Sequence, residues 1–140
     1  MNAPPLLVEN LSFTFAGRAT PTLREISFSI EPGSWTLLAG RSGSGKSTLL
    51  RAMAGLIPHH SAGQMQGDVL LFGRNTRLAT PAELAGRAGL VLQSPDDQIC
   101  TTTVGAEIAF GLENLALPAD EIASRVRESL AGLGLGGRER

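Results

Sequence analysis

The sequence predicts an α/β fold built around an anion-binding loop. Three observations carry that prediction. Residues 11–15 (Leu-Ser-Phe-Thr-Phe) and 26–30 (Ile-Ser-Phe-Ser-Ile) alternate apolar and polar side chains, the period of half-buried strands. An uncharged run at 34–39 leads directly into Gly-Arg-Ser-Gly-Ser-Gly-Lys-Ser-Thr at 40–48. Stretches after that loop and in the last third of the chain carry apolar residues at helical spacing.

The elements follow in order. Residues 6–15 read as a first strand, and residues 16–23, with Gly17 and Pro21, as the connection to a second strand ending at Ile30. Glu31-Pro32-Gly33 is a turn, with Pro preset for its second position and Gly supplying an unusual φ. Residues 34–39 read as a short buried strand. Residues 49–55 read as a helix ended by Gly55, with Pro58 as a stop beyond it. A loop rich in His, Ser and Gly spans 56–67. Its His59-His60 pair reads as solvated, because adjacent side chains diverge and no Cys or third His completes a metal site. Residues 67–73 form a strand between two glycines.

Thr80, Pro81 and Glu83 have the spacing of a capping box that opens a short helix to about Gly86. Residues 89–92 read as a buried strand running into Gln93, and 94–103 as an exposed polar connection. A helix spans 104–115 with Ile108, Leu112 and Leu115 on one face and Glu107 near its start. Leu117-Pro118 breaks it. Asp120 opens an amphipathic helix to about Leu133, carrying Ile122, Val126, Leu130 and Leu133. The glycines at 132–137 do not sustain a helix end. No repeat or low-complexity tract is present.

Composition narrows the function classes. A chain of 140 residues is one ordinary domain or a piece of a larger one. Its 42% apolar and 18% charged content fits a globular core. A net charge of −1 gives no basic field for nucleic acid, and no nucleic-acid partner is expected. The single cysteine, Cys100, excludes an internal disulfide, and beside Ile99 it reads as a small buried apolar residue. No run approaches the roughly 18 apolar residues needed to span a bilayer. The first residues lack the basic start and apolar run of a signal peptide. A link to a membrane would therefore come through a partner.

Residues 40–48 carry the chemistry. Gly40, Gly43 and Gly45 have no Cβ, so the backbone approaches an anion closely and takes positive φ. With Arg41, Ser42 and Ser44 they present consecutive N–H groups as an anion-binding nest. Lys46 places an ammonium on the β- and γ-phosphates, Ser47 ligates Mg²⁺, and Thr48 adds a hydroxyl near the α-phosphate. A strand before and a helix after supply the required setting, since a helix N-terminus carries partial positive charge. The expected ligand is ATP with Mg²⁺. Gln93, a polar amide after three apolar residues, sits where open α/β sheets bind ligands.

Together these segments resemble the first half of an ATP-binding cassette ATPase, a P-loop NTPase that drives membrane transporters. The resemblance runs over nearly the whole chain. The run 8–15 resembles the family's first strand and adenine-stacking segment, 23–33 its second strand and turn, and 49–56 the helix after the phosphate loop. Residues 67–73 resemble the return strand of its small antiparallel sheet. The implied fold is an antiparallel β subdomain plus part of a parallel core sheet with flanking helices, incomplete at 140 residues.

A narrower likeness lies in Gly-Leu-Val-Leu-Gln-Ser-Pro-Asp-Asp-Gln-Ile at 89–99 and Ile-Ala-Phe-Gly-Leu-Glu-Asn at 108–114. It is similar to the energy-coupling-factor ATPases of cobalt, nickel and vitamin uptake. Gly105-Ala106 departs from that class, which usually carries an acidic residue there, and weakens the expected helix start.

The resemblance implies further roles. Gln93 becomes the Q-loop glutamine, reaching Mg²⁺ and the attacking water, so that Lys46 and Gln93 are the catalytic candidates and Ser47 and Gln93 the metal ligands. Phe15 becomes the aromatic that stacks on adenine, although Phe13 and Phe15 share a strand face and either could be core. Residues 94–110 become the docking surface for an integral membrane component, and a second ATPase subunit completes the site. The protein would then lie in the cytoplasm on the inner face of the membrane.

Phosphoryl transfer also needs a second carboxylate and a group that positions water. No apolar run here ends in Asp-Glu, and the Leu-Ser-Gly-Gly-Gln signature and a later switch His are absent. The expectation is the N-terminal part of one such domain, cut short of its signature. Other readings are a soluble P-loop ATPase acting on nucleic acid or translation, or a non-catalytic remnant. The cues at 94–99 and 109–111 would then have no explanation.

Overall fold

Leu6, Val8, Leu11 and Phe13 are buried along β1 (Leu6–Phe15), but not at a constant step of two. The parity changes between Val8 and Leu11 because Asn10, at φ 48, is an extra residue in the strand. One inserted residue in a period-two element moves the following side chains back onto the core face. The computed structural model describes residues 3–138 and separates into two units, Met1–Leu90 and Val91–Arg140.

The first unit holds a four-stranded sheet in the order β2-β1-β3-β4, with antiparallel neighbours throughout. The other strands are β2 (Leu23–Ile30), β3 (Gly63–Leu71) and β4 (Arg74–Asn75). A second bulge lies in β2, where Glu25 has φ 45. Two serines satisfy the backbone donors that the bulges free: Ser27 Oγ accepts from Asn10 N–H and Ser12 Oγ from Glu25 N–H, each at 2.8 Å. Gly67 faces the β1 bulge on β3. Its φ is 76, and a Cβ there would collide with the carbonyl oxygens of Glu9 and Asn10.

α1 (Lys46–Met53) buries Leu49 and Ala52 in the cluster formed by Leu11, Phe13, Leu23 and Val69. It ends as predicted at Gly55. Leu56 N–H donates to Arg51 O at 2.9 Å and Gly55 N–H to Ala52 O at 3.1 Å, the paired bonds of a Schellman cap. α2 (Pro81–Ala85) has the full capping box: Thr80 Oγ1 accepts from Glu83 N–H, and the Glu83 carboxylate accepts from Thr80 N–H. Leu84 brings α2 into the same core.

The second unit contains a single 3₁₀ turn at Pro95–Gln98, then α3 (Val104–Asn114) and α4 (Ala119–Gly132), which pack on each other. Leu130 is its buried anchor. Leu115 and Leu133, expected on the apolar faces, lie just past the helix ends and are 42% and 70% exposed.

The α/β class and the antiparallel sheet stand as expected, but the expected part of a parallel core sheet is not formed among the described residues, because the two segments read as its strands do not pair, and several local readings change. Residues 34–39 are not a buried strand: they pair with no strand among the described residues, and Trp35 and Leu37 are 101% and 90% exposed. Residues 89–92 also lack a ladder, with Val91 79% exposed. A strand needs a hydrogen-bonding neighbour, and every ladder among the described residues is antiparallel and lies elsewhere. The third strand begins at Gly63 instead of Gly67, because Gln64 and Met65 pair with Thr14 and Phe13. The His59-His60 pair is exposed in a loop as read, with His59 Nε2 also lying 3.0 Å from Thr76 O. Cys100 is exposed, not buried.

The bulge makes a prediction. Gly67→Ala should destabilise the protein by about 1–3 kcal/mol or more, through positive φ and the collision with Glu9 and Asn10. A urea midpoint that stays at the wild-type value would show that β1 and β3 do not approach this closely.

Candidate functional site

The glycine loop at 40–45 folds back on itself and delivers the chain into α1. Ser44 N–H donates to Arg41 O at 3.2 Å, which closes the first turn. Lys46 then reaches back across the loop, its Nζ donating to Gly40 O at 2.8 Å and to Arg41 O at 2.9 Å. An ammonium has three donors, so one remains for a ligand. The loop packs on the first unit through Gly45. At φ 95, a Cβ on Gly45 would stand 3.0 Å from both the Thr22 carbonyl oxygen and Leu23 Cδ2. Only glycine fits between that backbone and the start of α1.

The N-terminus of α1 is bare. Gly45 offers no side-chain cap, and no acidic residue stands in the first turn. The early N–H groups of a helix have no intrahelical acceptor. Here they carry the partial positive charge of the helix end, in a stretch that also holds the Lys46 ammonium and the hydroxyls of Ser47 and Thr48. This donor set fits a triphosphate: glycine backbone for close approach, cationic charge, and hydroxyl oxygen for a divalent ion. Among the described residues, no three or more His, Cys, Asp or Glu converge on a metal position. An Mg²⁺ ion would therefore rest on Ser47 and on phosphate oxygens.

Phe13 and Phe15 separate into different roles. Phe13 is fully buried, whereas Phe15 is half-buried. Their rings meet edge to face, with centroids 4.8 Å apart and planes at 80°. The Arg18 guanidinium carbon lies 5.9 Å from the Phe15 centroid. The connection that carries Arg18 returns through Thr22, whose N–H donates to Phe13 O at 2.7 Å and whose carbonyl abuts Gly45. The sequence reading missed Arg18 and Thr22. An arginine three residues past the aromatic that ends a strand, across a glycine, was the available signal for the first.

Gln93 is exposed and lies in the second unit, while residues 40–48 and Phe15 lie in the first. The strand end expected to aim Gln93 is not formed, so its role rests on the resemblance alone. Asp96 and Asp97 are exposed in the 3₁₀ turn. Glu107 does more than sit near a helix start. Its Oε2 accepts from Thr101 Oγ1 and Thr101 N–H at 2.9 Å each and from Cys100 N–H at 3.1 Å. With Thr103 Oγ1 accepting from Ala106 N–H, these bonds hold the start of α3 despite Gly105-Ala106. The Thr101 hydroxyl and then the Thr101 and Cys100 amides hold the Glu107 carboxyl below its ordinary pKa.

The sequence matches the family model for ABC transporters over residues 23–140. A protein of Methanosarcina acetivorans, named as an ABC transporter ATP-binding protein, is 44% identical over 128 residues, covering 91% of this chain and 20% of that one. A similarly named protein of Pyrococcus abyssi is 42% identical over 123 residues, covering 88% of this chain and 44% of that one. The chain thus spans between a fifth and a half of the length of these relatives. The solved structure of cbiO1 from Clostridium perfringens, described as part of the ABC transporter complex cbiONQ, superposes with TM-score 0.79 at 29% identity, over 97% of this chain and 53% of that one. The ATP-binding cassette MJ0796 shares the fold, with TM-score 0.73 at 23% identity over 96% and 59% of the two chains.

Glu107 gives the prediction from this site. A lowered carboxylate pKa means stability that is present above the unfolded value and lost as pH falls through the folded one. Amide exchange at Cys100 and Thr101 should therefore accelerate on acidification below the ordinary carboxylate range. Glu107→Gln should show the faster exchange already at neutral pH. Equal exchange in both proteins at neutral pH would mean that the carboxylate does not hold this turn.

Proposed function

This chain belongs to the ABC transporter family of ATP-binding proteins, and on that premise we propose that it binds ATP with Mg²⁺ on residues 40–48 as the N-terminal portion of an ATPase subunit. The observation that carries the proposal is the uncapped, acid-free start of α1 behind a glycine loop that Lys46 fastens. The loop amides and the third donor of Lys46 hold the β- and γ-phosphates, and Ser47 holds the ion. Bound Mg²⁺ supplies charge neutralisation at the phosphates. Phe15 offers a π-face to the base.

The proposed assembly is larger than this chain. The relatives extend well past the length matched here, and turnover needs a water-positioning group and a second carboxylate beyond the residues above. These would come from the remainder of the domain and from a second subunit that closes over the nucleotide. The proposed class is an energy-coupling-factor type importer of a metal ion or vitamin. It is supported by the run at 89–99 and by the likeness to cbiO1. Residues 94–110 dock an integral membrane component, and the ATPase works on the cytoplasmic face. No helix among the described residues is long and apolar enough to cross a membrane.

Titration with a fluorescent ATP analogue, with and without Mg²⁺, tests the phosphate site. Hydrogen bonds to charged groups contribute about 1.5–3 kcal/mol, so Lys46→Ala should weaken binding roughly 10- to 100-fold. Undiminished affinity would remove the site. Charge reversal of Asp96 and Asp97 should abolish ATP-driven transport by the intact complex while leaving nucleotide affinity unchanged. A fall in nucleotide affinity would instead assign these carboxylates to the ATP site.

A further inference from the structure

The partly exposed Phe15 ring has a second ring and a cation as neighbours. Phe13, fully buried, lies against Phe15 from the core. Arg18, exposed, lies over it with its guanidinium carbon 5.9 Å from the centroid. The backbone turn brings Arg18 close to this ring. Arg18 N–H donates to Phe15 O at 3.1 Å, and Ala16 N–H donates to Ala62 O at 2.9 Å, so the turn brings the arginine back over the ring. Among the described residues no carboxylate pairs with Arg18 and draws it away. Its identified ring partner is Phe15.

We propose that Arg18 is a cationic lid on the base platform, which the purine must displace in order to stack on Phe15. The proposal rests on the reading of Phe15 as the stacking residue. A base between ring and guanidinium would need them about 7 Å apart, two contact distances of roughly 3.5 Å. The observed spacing leaves no room for that layer, so base and guanidinium compete for one face. Base stacking on an aromatic ring outweighs an exposed cation–π contact, so the base prevails at a cost in affinity. The lid selects against weak stackers and leaves phosphate binding alone, because residues 40–48 make those contacts.

The experiment is calorimetric titration of the protein with ATP and with inorganic tripolyphosphate, which has no base. The proteins compared are wild type, Arg18→Ala, Phe15→Leu and the double variant. Phe15→Leu keeps an apolar side chain and removes the π-face. Arg18→Ala should raise the ratio of ATP affinity to tripolyphosphate affinity about two- to fivefold, the equivalent of roughly 0.5–1 kcal/mol. The gain should vanish in the Phe15→Leu background. An unchanged or lower ratio in Arg18→Ala, with Phe15→Leu still weakening ATP, would overturn the lid and leave the platform standing. An unchanged ratio in Phe15→Leu would overturn the platform and the lid together.

Discussion

The start of α1 is a helix end with nothing to satisfy it. α2 is capped by Thr80 and Glu83, and α3 by Thr103. α4 lacks a side-chain cap but carries Asp120 and Glu121 in its first turn. α1 has neither cap nor acid. A missing cap costs a helix about 1 kcal/mol. The first unit tolerates that because Leu49 and Ala52 are buried in its core and the Schellman cap secures the other end. Packing on one side of α1 therefore offsets the lack of a side-chain cap at its tip. The sheet, the β1–β2 connection and the loop at 40–45 all serve to hold that tip in place.

Where local chemistry decides structure, the sequence was a sufficient guide. Gly55 stops α1, Thr80 and Glu83 start α2, and Pro118 separates α3 from α4. Each depends on backbone angles or hydrogen bonds within a few residues. The turn at 40–45 was readable for the same reason, since its glycines at positive φ set the path of the chain into α1. The failures share a different cause. Residues 34–39 and 89–92 are apolar enough for strands, yet strand formation requires a partner elsewhere, and their own composition cannot supply one. Cys100 was assigned by residue type, and its exposure is set by the polar turn around it. Arg18 was missed because a cation–π contact depends on the path of a connection, which periodicity does not describe.

The paired bulges show how a small sheet is bent to its task. The extra residue at Asn10 and the one at Glu25 lie on adjacent strands, and each frees an amide that a serine across the ladder takes up. Bulges increase local twist. The far half of β1, including Phe13 and Phe15, is thereby aimed differently from the near half that pairs with Ile30 and Leu71. Without the parity change at Asn10, Leu11 and Phe13 would face away from α1, and the aromatic pair would sit on the wrong side of the sheet.

Trp35 is the sole indole in the chain, and it stands fully in solvent five residues before the glycine loop. Indole emission shifts to shorter wavelength when water is withdrawn from the ring. The protein thus carries a built-in optical gauge: whatever strand comes to lie beside residues 34–39 will register in the colour of its fluorescence, with no label attached.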